Sequence, residues 1–163
     1  MKTNYNKLLK IAFILSLITI FYNIIEGLIS TYFGLSDETI ALLGFGVDSF
    51  VEVISGLGIA HMVLRMKSAT VTSSDKFERQ ALYITGTAFF ILTAGLIIGS
   101  IINIIYDIKP DTTIPGVIIS SISILTMWIL YKCKLEVGKK LDSAPIISDA
   151  NCTKTCFYLS FIL

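Results

Sequence analysis

The chain has 163 residues, of which 54% are hydrophobic and only 15% charged, with a mean hydropathy of +0.78. A water-soluble domain of this size carries nearer a quarter charged residues, so the composition excludes an ordinary soluble enzyme or binding module. The net charge of +1 gives no reason to expect a nucleic-acid partner.

The charges cluster between apolar runs, each near or beyond the ~18–20 residues that cross a bilayer. The runs are long and do not alternate, which predicts helices rather than barrel strands. Span 1 is expected over about 8–33, span 2 over 39–64, span 3 over 81–105, span 4 over 114–131, and an incomplete span 5 over 145–163. The fold class expected is therefore all-α, a polytopic transmembrane bundle forming a single domain over 1–163 with no soluble C-terminal domain. Span 1 has Lys2, Lys7 and Lys10 in front of it, but it is too long for a signal peptide and lacks a small-residue cleavage site.

Basic residues set the expected orientation. Lys2, Lys7 and Lys10 precede span 1; Arg65, Lys67, Lys76 and Arg79 fall between spans 2 and 3; and Lys132, Lys134, Lys139 and Lys140 fall between spans 4 and 5. The two remaining connections hold only Lys109. This bias predicts a cytoplasmic N-terminus in a multi-pass protein of the cell membrane. In span 3, Gly95 and Gly99 form a GxxxG pair expected to serve close helix packing.

Ionisable residues inside the spans are the candidates for function. Glu26 lies in span 1, one turn after Asn23; Asp48 and Glu52 lie in span 2; Asp149 and Lys154 lie in span 5. A carboxylate near the bilayer centre costs about 2.5–3.5 kcal/mol even on the mildest insertion scale. Asp48 and Glu52 are one turn apart and share a helix face. Such a pair is tolerable when protonated, when facing water, or when a cation sits between the two acids. Cys152 and Cys156 repeat the i, i+4 spacing, with Asp149 on the same face. Their spacing alone suits a pair of ligands and a pair of small core residues equally.

Depth brings the two pairs level. At 1.5 Å per residue, Glu52 and Asp48 lie about 13 and 19 Å from one membrane face, and Cys152 and Cys156 about 10 and 16 Å from the same face. Spans 2 and 5 run in opposite directions, so Glu52 is expected to face Cys152, and Asp48 to face Cys156. The result is a four-ligand set of two acids and two thiols.

These residues resemble a family. "ALLGFGVDSFVEVISG" is similar to the second helix of cation diffusion facilitator transporters, matching at Ala41, Leu42, Leu43, Asp48 and Ser49, with Glu52 in place of the second aspartate. "SDANCTKTCFYLS" resembles the family's fifth helix at Asp149, Ala150 and Thr153, with Cys152 and Cys156 where the family carries histidine and aspartate. Asn23 in "YNIIEG" fits the asparagine of its first helix. The resemblance implies a homodimeric divalent-cation transporter that exchanges metal for protons, with Asp48, Glu52, Cys152 and Cys156 as the metal ligands. From the residues themselves, Glu26 with Asn23 one turn before it suits proton shuttling, an outer gate or a packed, protonated acid equally, and Asp149 is expected to cap the entrance or to support the site by hydrogen bonding.

Two cysteines in place of histidine and aspartate soften the site, which suits Zn²⁺ or Cd²⁺ better than Mg²⁺ or Mn²⁺. The family bundle has six helices, so five apolar runs imply a truncated form. The alternative is a degenerate member that associates with other membrane helices without transporting. No Walker loop, nucleophile elbow or HExxH segment is present and histidine occurs once, so no enzymatic activity is expected.

Overall fold

A computed structural model describes residues 2–36, 40–66, 71–106 and 114–162. Five helices follow in chain order: α1 (Lys2–Ser36), α2 (Ile40–Met66), α3 (Val71–Ile105), α4 (Ile114–Leu141) and α5 (Ala144–Ile162). No strand occurs among the described residues. Lys67, Lys109 and the expected span limits at 39 and 163 lie outside them.

Four of the helices, α1 to α4, are long and apolar enough to cross a membrane. Burial is inverted relative to a soluble protein. Phe21, Ile25, Phe90, Ile104, Ile114 and Leu125 are all more than half exposed, while Ser16, Thr19, Asn23, Ser55, Thr85 and Thr153 are buried. Water would disfavour that outer face, whereas lipid accommodates it, and small polar residues inside let helices approach closely.

Along α1 a buried stripe of Leu9, Ala12, Ser16, Thr19, Asn23, Glu26 and Ser30 recurs in alternating steps of three and four, with Ile20, Gly27 and Gly34 buried beside it. A stripe along α4 does the same, through Gly116, Ser120, Ser123, Met127, Leu130, Lys134 and Val137. This is the 3.5-residue stripe of helices packed at shallow angles. Helix α1 lies along α2 and α4, α5 lies along α4, and α3 leans on α2 and α5.

Glycines set the closest approach. A methyl group on Gly34 would lie 2.6 Å from the Leu43 backbone nitrogen, and one on Gly46 would lie 2.6 Å from Thr31 Oγ1 and 2.9 Å from its nitrogen. Backbone atoms cannot swing aside, so Gly46→Val is expected to destabilise the α1–α2 pair by about 1–3 kcal/mol. Thermal unfolding in detergent checks this, and an unchanged midpoint contradicts it. Gly95 and Gly99 behave differently from expectation. Nothing among the described residues comes within 4 Å of a methyl built on either, so the GxxxG pair packs no helix within the described chain.

The connection between α4 and α5 is much shorter than the sequence pattern suggests. Helix α4 continues ten residues beyond the expected end, to Leu141, and only Asp142 and Ser143 separate it from α5. Asp142 adopts φ 51°, and the Ser143 N–H reaches back to the Gly138 carbonyl at 3.1 Å, closing the helix with a left-handed cap. Pro145 stands in the first turn of α5, where its missing N–H costs little. As a result Lys134 is not a loop lysine. It is 2% exposed inside the bundle, while Lys132, Lys139 and Lys140 stay exposed.

At the end of the bundle nearest the N-terminus, every helix contributes to one apolar layer. Leu9 and Ala12 meet Ile59, Met62, Val63, Ala81, Val137 and Ile146, with Phe13, Met66 and Phe77 packed around them. The polar residues lie deeper than this plug.

Candidate cation site

Beyond the plug, the five helices bring a layer of polar side chains together. Asp48 and Glu52 are 1% and 2% exposed on the inner face of α2, and Cys152 and Cys156 are buried on the facing side of α5. The Cys156 thiol lies within interaction range of the Asp48 carboxylate. Cys152 lies within electrostatic reach of Glu52, Asp149 and Asp48.

Asn23 reaches the same layer from α1. Its amide donates to Glu52 Oε2 at 2.9 Å and to the Thr19 carbonyl at 2.9 Å. That places Asn23 against the span-2 acids. Three acceptors are left over: Asn23 Oδ1, Asp48 Oδ1 and Glu52 Oε1 are buried without a hydrogen-bond partner. A buried acceptor with no donor costs about 1–3 kcal/mol, and more when it carries charge. These three oxygens, on α1 and α2, are acceptors that a cation or protons would satisfy.

Glu26 is held separately. Tyr22 donates to its Oε1 at 2.8 Å and Ser49 to its Oε2 at 3.0 Å, so both oxygens are occupied. Ser49 follows Asp48 directly, which puts Glu26 next to the span-2 acids without joining them. Deeper still, Ser160 of α5 donates to Ser123 of α4 at 3.0 Å.

On the plug side of the layer stands an ion pair that sequence reading missed. Lys134 Nζ lies 2.9 Å from Asp149 Oδ2 and donates to Thr153 Oγ1 at 2.8 Å. Asp149 Oδ1 accepts from Ser55 at 2.6 Å, and Ser55 in turn meets Thr85 of α3 at 3.1 Å. Asp149 therefore has a partner on each oxygen and supports the layer without an oxygen to spare. The signal for Lys134 lay in the α4 stripe: continuing Gly116, Ser120 and Ser123 in steps of four and three arrives at Met127, Leu130 and Lys134. Lysine-rich surroundings hid that register.

Three further polar or ionisable residues, His61, Cys133 and Lys154, lie off the layer. His61 and Cys133 are exposed. Lys154 is half-buried, with its ammonium 5.9 Å from the Tyr131 ring centroid and 5.6 Å from that of Tyr158. Those aromatic faces, rather than an acid, accommodate its charge.

Among the described residues, no three His, Cys, Asp or Glu side chains are drawn together closely enough to hold a metal ion. The four residues singled out in the sequence thus share one layer without converging on one point. Cys156 lies within range of Asp48, and Cys152 stands nearer the ion pair. Comparison with protein-family models, curated proteins and solved structures finds no match.

Proposed function

We propose that the protein is a divalent-cation transporter of the membrane, with Zn²⁺ or a similarly soft ion as cargo, exchanging it for protons at the Asp48–Glu52 layer. α5 completes the bundle as a fifth membrane helix, and the N-terminal end carrying the apolar plug faces the cytoplasm. The observation that carries this reading is the trio of buried, unpartnered oxygens on Asn23, Asp48 and Glu52. Intramembrane acids are expensive and mark ion or proton pathways, and among the described residues neither of these two forms a salt bridge, while each keeps one oxygen without a donor.

Asp48 and Glu52 supply charge, and Cys152 and Cys156 supply the soft ligands that discriminate against Mg²⁺. Binding requires the thiols to shed their protons, so metal capture and proton release are coupled. A small inward rotation of α5 would bring both sulfurs onto the acids. The resemblance of α2 and α5 to cation diffusion facilitator helices supports the same reading, and the homodimer it implies belongs to the proposal. The exposed Gly95–Gly99 face of α3 offers a second copy a close approach.

Zinc-dependent proton flux in proteoliposomes tests the function. A pH gradient driving zinc movement, lost in Glu52→Gln, is the expected result. Zinc permeation equal to that of empty liposomes contradicts it.

A further inference from the structure

Lys134 is among the largest fully buried side chains in the chain, and no property of a dication site calls for a positive charge beside it. Its ammonium is also fixed. Asp149 and Thr153 of α5 hold it directly, Ser55 of α2 holds Asp149, and Thr85 of α3 holds Ser55, so residues of four helices fix one charge. Val137, one turn further along α4, and Ile146, one turn before Asp149 on α5, both belong to the apolar plug. On its other side the ammonium is electrostatically coupled to Glu52 and Cys152. The charge therefore sits between the plug and the unpartnered oxygens.

We propose that Lys134 is a tethered cation that opposes the transported dication at the plug end of the layer, weakening its binding and so easing its release. The proposal rests on the dication reading of the Asp48–Glu52 layer. Asp149 offsets part of the lysine charge, and the balance between the two sets how strongly the layer holds a second positive charge. A purely structural ion pair would alter stability when broken and leave affinity alone, so charge-removing and charge-keeping variants separate the two roles.

The test is calorimetric titration of the purified full chain in detergent with Cd²⁺. Lys134→Gln keeps a hydrogen-bonding side chain of similar reach and removes the charge, so it is expected to bind about tenfold tighter or more. Lys134→Arg keeps the charge and is expected to bind like the wild type. Asp149→Asn leaves the ammonium uncompensated and is expected to bind about tenfold weaker. A folded Lys134→Gln protein that binds Cd²⁺ no tighter than wild type overturns the proposal while leaving the dication site standing. If that variant does not fold, unchanged affinity in Asp149→Asn overturns it instead. A wild-type protein that binds no Cd²⁺ removes the dication site, and the role of Lys134 with it.

Discussion

Asp48→Asn is expected to lower Cd²⁺ affinity by at least about a hundredfold while leaving the unfolding midpoint nearly unchanged. The substitution keeps the shape of the side chain, so packing at this 1%-exposed position is preserved. What disappears is the charge. A unit charge about 4 Å from another is worth about 4 kcal/mol at an effective dielectric of 20, and the interaction with a dication is larger. Glu52→Gln should act in the same direction, because its amide oxygen still accepts from Asn23 and its charge is gone. Calorimetric titration of both variants checks this. Wild-type affinity in either removes that carboxylate from the site.

Lys134→Ala is expected to cost about 3–5 kcal/mol of stability, the largest loss foreseen for any single truncation in the bundle. The lysine and Asp149 have side chains 2% and 3% exposed, and removing the ammonium leaves a buried carboxylate facing an empty space with Ser55 as its one remaining side-chain donor among the described residues. The cost comes mainly from the stranded charge rather than from the lost bond. Lys134→Met combined with Asp149→Asn should therefore recover most of the loss, since no uncompensated charge remains. Unfolding in detergent, followed through Trp128 fluorescence, compares the two. A single variant as stable as wild type, or a double variant no better than the single, contradicts this account of the pair.

Much of the architecture was legible because it rests on length and hydropathy. Long apolar runs define α1 to α4, and an i, i+4 pair of acids in such a run is visible without any structure. The meeting of Asp48 with Cys156 followed from counting residues along antiparallel helices. Three features were not legible, each for a physical reason. The end of α4 was misplaced because lysines normally mark the membrane surface, yet here the helix runs on and one lysine turns inward to an acid on another helix. Asn23 donates to Glu52, a partnership set by the rotation of α1 against α2 that no periodicity specifies. Ser55 and Thr85 entered the layer unnoticed, because a hydroxyl in an apolar helix ordinarily satisfies itself on its own backbone, as Ser121 does on the Val117 carbonyl.

The claim at the centre is that oxygen from α2 and sulfur from α5 grip one ion together. Zinc K-edge absorption of the loaded protein tests it most directly. The account predicts a mixed shell with sulfur at about 2.3 Å and oxygen at about 2.0 Å, losing its sulfur in the Cys152→Ser, Cys156→Ser double variant. A shell of oxygen and nitrogen alone, unaltered by removing those thiols, would contradict it.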